Sequence, residues 1–122
     1  MPREELEEHL RCGKSLVCEL AAPTASSRRF AYVRHAADEL QEGDARSENR
    51  LLFVAAFELP TELLEAEARG EIRDQADCRR WLVRRTARGA SEAIVELERI
   101  VETERIVQPL QDERSFEPPI LL

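Results

Sequence analysis

The sequence has few of the groups that carry out enzymatic chemistry. Its two histidines leave little choice for proton transfer between side chains. His9, Cys12 and Cys18 are three and six residues apart and Cys78 is distant, which is not the spacing of a structural zinc site built from two close pairs. We therefore expect no metal and no cofactor, and a non-catalytic role is favoured over an enzymatic one.

Long apolar runs are also missing. No apolar stretch approaches the roughly 20 residues that a helix needs to cross a bilayer. The first residues, Met-Pro-Arg-Glu-Glu, lead into no apolar segment typical of a secretory signal. An odd number of cysteines in such a chain is typical of free thiols in a reducing compartment. We expect a cytoplasmic protein that does not associate with membranes.

The residues that are abundant indicate one folded domain. A chain of 122 residues has room for a single core, and charged residues make up 35% of it. Ala, Glu, Arg and Leu dominate, as they do in helical domains. The net charge of -7 disfavours a general affinity for nucleic acid or acidic membranes, although basic residues are locally concentrated.

The strongest periodicity predicts a long helix over residues 74–107. Asp74 is a suitable N-cap, and Pro109 ends the run. Between them, apolar residues recur at the three- and four-residue spacing of one helix face: Cys78, Leu82, Ala90, Ala93, Ile94, Leu97, Ile100 and Val101. We therefore predict an all-α domain over residues 1–110, with four or five helices packed around this long helix.

Two segments fit strands as well as helices. Residues 27–41 and 44–59 are predicted as helices, with Gly43 and Asp44 as the stop and start signals between them. However, residues 15–21 and 29–35 both contain alternating apolar positions, which would pair as a hairpin. The uniformly apolar run within 49–59 also fits a buried central strand. The alternative fold is therefore α+β, with a hairpin at 15–35.

The C-terminal segment, residues 111–122, is predicted as an extended apolar tail. Its two consecutive prolines, Pro118 and Pro119, favour extended backbone, and Phe116, Ile120 and Leu121 are apolar. Such a tail needs a surface to cover it. That surface is either the tail's own domain or a partner.

The basic residues are concentrated around the single tryptophan. Trp81 lies off the main apolar stripe, among Arg79, Arg80, Arg84, Arg85 and Arg88. Tryptophan and arginine are enriched in the hot spots of protein interfaces. The residues predicted to bind a partner are therefore Trp81, Arg84, Arg85 and Arg88, together with Phe116, Ile120 and Leu121 of the tail.

These features predict a non-catalytic protein-binding module, such as a small adaptor, an assembly factor or an inhibitor. The partner would be another protein or a second copy of the chain. The alternative is a nucleic-acid-directed protein, either a regulator or a ribonuclease, that uses the cluster Arg79–Arg88. Arg29 and His35 fit the loose arginine–histidine spacing of HEPN-type ribonucleases, where such a pair would set a base beside a phosphate-binding cation.

Overall fold

The computed structural model describes residues 2–36, 50–71, 75–102 and 104–120. A short 3-10 turn, Glu113–Ser115, follows the last strand. The other elements, in chain order, are α1 (Arg3–Arg11), β1 (Leu16–Leu20), β2 (Ser27–His35), β3 (Leu51–Pro60), α2 (Thr61–Ala68), α3 (Gln75–Cys78), β4 (Arg80–Arg88), α4 (Ala90–Val101) and β5 (Ile106–Asp112).

The strands form one antiparallel sheet of five strands in the order β4-β3-β2-β1-β5. β1 pairs with β2 so that Cys18 lies opposite Ala31, and β2 pairs with β3 so that Ala31 lies opposite Ala56. β5 returns to pair with β1 on its other side. The protein is therefore α+β.

The prediction of an all-α, helical protein is wrong. Residues 15–35, where the alternative hairpin was placed, form the antiparallel pair β1 and β2. The uniformly apolar run Leu51–Phe57 lies in β3, which has a strand on each side and contributes to an apolar cluster on each face. Such a strand needs apolar residues at successive positions, so it shows no alternation that would separate it from a buried helix. The signals at Gly43 and Asp44 lie outside the described residues.

The predicted long helix over 74–107 is also wrong. Gly89 has a φ of 84°, a conformation that glycine adopts readily and that cannot continue a helix. It separates strand β4 from helix α4, and β5 follows with Pro109 within it. The helical spacing was real only in α4, where Ala90, Ala93, Ile94 and Leu97 are buried. The predicted N-cap, Asp74, lies outside the described residues.

The two faces of the sheet carry two separate apolar clusters. On the first face, which we call the helix face, α1 and α4 pack onto residues such as Leu16, Val33 and Val54. On the second face, α2 and the C-terminal segment pack onto residues such as Val17 and Phe30. The clusters differ in chemistry, because the second one, with the residues packed against it, contains all six phenylalanine, tyrosine and tryptophan side chains.

The end of the chain lies on its own domain as far as Ile120. Phe116 and Ile120 are 2% and 3% exposed and belong to the second apolar cluster. Gln75 donates a hydrogen bond of 3.0 Å to the carbonyl oxygen of Pro119, and Gln108 donates one of 2.8 Å to that of Glu117. The question of where the tail lies is therefore answered for these residues, whereas Leu121 is outside the described part.

Among the described residues, no helix is both long enough and apolar enough to cross a membrane.

Candidate functional site

The two faces of β4 carry different side chains because neighbouring residues of a strand point to opposite sides. Arg84 lies opposite Ala55 of β3 and points to the second face, whereas Arg85 lies opposite Val54 and points to the helix face. An irregularity in the pairing at Ala56/Phe57 gives β4 an extra residue. Because of this extra residue, the side chain of Trp81 points to the same face as that of Arg84, which follows three residues later in the strand. The tryptophan and this arginine are therefore neighbours.

The second face is covered on only part of its area. α2 and the C-terminal segment pack on one part. Beside them lies a groove of about 520 Å³, which is lined also by the Arg85–Glu96 ion pair of the helix face. We call the six residues at this part of the sheet the open face: Tyr32 and Arg34 of β2, Phe53 of β3, and Trp81, Arg84 and Thr86 of β4.

Arginines of the open face lie against aromatic rings. The guanidinium carbon of Arg84 is 4.2 Å from the centroid of the Trp81 ring, and that of Arg34 is 4.8 Å from the Phe53 centroid. Trp81 also contacts Phe57 edge to face, at 5.8 Å between ring centroids. Each arginine–aromatic contact contributes about 0.5–1 kcal/mol at an exposed site and holds the guanidinium plane in place.

The arginines of the helix face differ from these because they are paired with carboxylates. Arg85 lies 3.1 Å from the Glu96 carboxylate, and Arg80 lies 3.3 Å from that of Glu58. In the part of the chain that the structure describes, neither Arg34 nor Arg84 forms an ion pair. Their guanidinium edges therefore carry unneutralised charge next to apolar rings.

The structure brings together only two of the residues predicted to bind a partner. Trp81 and Arg84 share the open face, whereas Arg85 points to the other side of the sheet. Arg88 ends β4, where its backbone N–H donates to the Glu92 carboxylate at 2.9 Å. The predicted tail residues Phe116 and Ile120 are buried within the chain, and Leu121 is not described.

Sequence reasoning missed the other side of the site. Tyr32, Arg34 and Phe53 come from strands that were assigned to helices, far from Trp81 in the sequence. A signal for them existed in the alternation of Phe30, Tyr32 and Arg34. That alternation puts all three side chains on one face once the hairpin is accepted.

The arginine and histidine of the ribonuclease hypothesis are not brought together. Arg29 and His35 lie six residues apart on the same strand, which corresponds to about 20 Å. Arg29 pairs with Glu58. His35 is buried with its Nε2 atom 2.7 Å from the carbonyl oxygen of Leu10, and burial lowers its pKa. The two side chains cannot act on one phosphate.

The three cysteines also occupy different environments. Cys12 and Cys78 are exposed, while Cys18 is buried in the sheet. Among the described residues, no group of three or more histidine, cysteine, aspartate or glutamate side chains is placed to hold a metal ion.

Comparisons with known proteins point to no relative. The chain matches no protein-family model, and searches of curated proteins and of solved structures found no match. Its function has to be inferred from the open face.

Proposed function

We propose that the protein is a non-catalytic protein-binding module and that its open face binds a segment of another protein. The segment carries carboxylates next to an apolar or aromatic side chain. One observation supports this above the others. Arg34 and Arg84 lie on aromatic rings at 4.8 and 4.2 Å without a carboxylate partner among the described residues, while Arg80 and Arg85 of the same sheet have one.

The arrangement matches what a protein interface needs. Trp81 is half-buried, and its contact with Phe57 holds the ring in place. Little side-chain entropy is therefore lost when a partner binds to it. A carboxylate reaching Arg34 or Arg84 would form charge-assisted hydrogen bonds, which are stronger than neutral ones. An apolar side chain in the groove would cover the rings. Preformed aromatic and arginine groups of this kind are typical of interface hot spots.

The overall charge favours a peptide over a nucleic acid as the ligand. The net charge of -7 disfavours the binding of a long polyanion. A short acidic segment meets only the local positive field. The cytoplasmic location expected from the sequence belongs to the same proposal and is supported by the three cysteines, none of which forms a disulfide.

A display selection with a charge-reversed counterpart tests the proposal. Random peptides would be selected on the wild-type protein and counter-selected on a double variant, Arg34→Glu with Arg84→Glu. The control is Arg105→Glu, an exposed arginine next to β5, at the far end of the sheet. We expect the selected peptides to combine acidic with apolar residues, to bind the control like wild type, and to bind the double variant at least about tenfold more weakly.

Two results would contradict the proposal. In the first, the selected peptides bind the double variant as tightly as the wild type, while the wild type, the double variant and the control melt at similar temperatures. The other is tight binding of a labelled 12-nucleotide single-stranded RNA that falls steeply with salt and is lost in the double variant. That result would establish nucleic acid as the ligand of the open face.

A further inference from the structure

Strand β4 lies at one end of the sheet, with β3 on its inner side. In the described part of the chain, no strand pairs with its outer side. The backbone groups of an edge strand that point outwards remain available to pair with another chain. β4 is nine residues long and contains no proline, and its pairing with β3 is regular from Val83 to Arg88.

The opposite edge of the sheet is less suited to pairing. β5 contains Pro109, which lacks the N–H group that a ladder requires. Its pairing with β1 is also irregular at two places around Glu19. The two edges therefore differ: of the two, β4 is the one that presents regularly spaced backbone N–H and C=O groups over most of its length.

The charges along β4 define the kind of strand that would fit. On the open face, Arg84 has no carboxylate partner among the described residues, whereas on the helix face Arg80 and Arg85 pair with Glu58 and Glu96. A strand added to this edge has side chains alternating between the same two faces. A carboxylate of the added strand can pair with Arg84 only if its side chain points to the open face. On the helix face, a further carboxylate would compete with the glutamates already there.

We propose that the partner segment binds as a sixth strand along β4, with carboxylates at alternate positions facing Arg84 and neutral or apolar residues between them. This rests on the proposed function of the open face and adds to it the conformation and the residue pattern of the ligand. Main-chain hydrogen bonds to β4 supply affinity, and the alternating side chains supply specificity.

A second copy of the chain does not fit this edge. If two β4 strands paired antiparallel about their central residue, Arg84 would lie opposite its own copy on the open face. Like charges directly opposite each other destabilise a strand pair. A carboxylate of an acidic strand opposite Arg84 replaces this repulsion with an attraction. Charge complementarity therefore selects an acidic partner over self-association.

Two peptides of identical composition test the pattern. The probe is a fluorescein-labelled eight-residue peptide in which glutamate and valine alternate. The matched control has the four glutamates in one block and the four valines in another. Fluorescence anisotropy with the full chain should show that the alternating peptide binds at least about tenfold more tightly. Arg84→Glu should abolish the difference, and Arg105→Glu should preserve it.

Backbone methylation then tests the strand itself. In an added strand, N–H groups of alternate residues face β4 and the others face water. Of two alternating peptides, one N-methylated on its glutamates and one on its valines, only one should lose binding.

Three outcomes overturn the proposal of a sixth strand. They are equal affinity for the alternating and block peptides, equal effects of the two methylation patterns, and failure of the alternating peptide to bind. If acidic peptides bind equally well in any order but still require Arg84, the open face remains the binding site and only the strand is wrong. If the arginines of β4 serve solely to keep this edge from pairing, no acidic strand will bind there.

Discussion

The buried carboxylate of Glu19 provides the sharpest test of the fold. Glu19 is 6% exposed and accepts two hydrogen bonds of 2.7 Å from the fork of Arg28. It accepts a third, also 2.7 Å, from Gln108 of β5. The Glu19 carboxylate therefore links β1, the strand in the middle, to both of its neighbours, β2 and β5. Glu19→Gln keeps the shape of the side chain and removes its charge.

The expected cost is about 2 kcal/mol of unfolding free energy. Removing one partner of a fully buried ion pair costs about 3–5 kcal/mol, because the remaining charge is left unpaired. The Arg28 side chain is 32% exposed, so water partly solvates the freed guanidinium and reduces this cost. The amide oxygen of glutamine still accepts one hydrogen bond. For a domain of this size, about 2 kcal/mol lowers the melting temperature by roughly 6–10 °C.

The same contacts predict how stability depends on pH. Burial alone would raise the pKa of Glu19, but the hydrogen bonds from Arg28 and Gln108 and the charge of Arg28 outweigh it and lower the pKa. A carboxyl group whose pKa is lower in the folded state stabilises the fold above its unfolded pKa. That contribution is lost as the pH falls through the folded pKa. The wild type should therefore lose more stability on acidification than Glu19→Gln.

Urea unfolding at pH 7 and at pH 3 measures both effects. Glu98→Gln is the control, since its ion pair with Arg3 at 3.4 Å is about half exposed on each side. This pair should contribute less than about 1 kcal/mol. The reasoning is refuted if Glu19→Gln and Glu98→Gln are equally stable at pH 7. It is also refuted if the gap between wild type and Glu19→Gln fails to narrow at pH 3.

Two further predictions concern the core. Ile94 of α4 is 1% exposed, so Ile94→Ala should lower the unfolding free energy by about 3 kcal/mol in urea titrations. Leu82 is 38% exposed, so the control Leu82→Ala should lower it by less than about 1 kcal/mol. Similar losses in the two variants would show that α4 does not pack on the sheet. Burial raises the pKa of the Cys18 thiol to about 11. A thiol reagent at pH 8 should therefore modify the exposed Cys12 and Cys78 quickly in the folded protein, and Cys18 only in urea. Rapid modification of all three thiols would contradict the buried position of β1.

The sequence predicted individual elements better than it predicted the fold. The helical spacing of Ala90, Ala93, Ile94 and Leu97 indicated α4 correctly, because that helix lies on the surface with one buried face. The same spacing was extended backwards into β4, where the apolar positions fit a helix by coincidence. β3 gave no periodic signal at all, because it contributes apolar residues to clusters on both of its faces. Local pattern could not distinguish these cases, since partner strands far away in the sequence decide them.

The candidate site was recognised only in part for the same reason. Trp81 and Arg84 stood out by residue type, and they do lie together. A helical projection puts Arg85 near Trp81, whereas the strand separates the two onto opposite faces. Arg34 and Phe53 were missed because only the pairing of three strands brings them near Trp81. Residue chemistry identified the centre of the site, and topology identified its boundary.

The return of β5 to pair with β1 has a consequence for how the chain folds during its synthesis. Glu19 and Gln108, which are hydrogen-bonded across these strands, are 89 residues apart. While a ribosome makes the chain, β2, β3 and β4 can assemble in sequence, but β1 keeps one unpaired side until β5 has emerged. A nascent chain therefore exposes a strand edge for most of its synthesis, and contacts of such long separation slow folding.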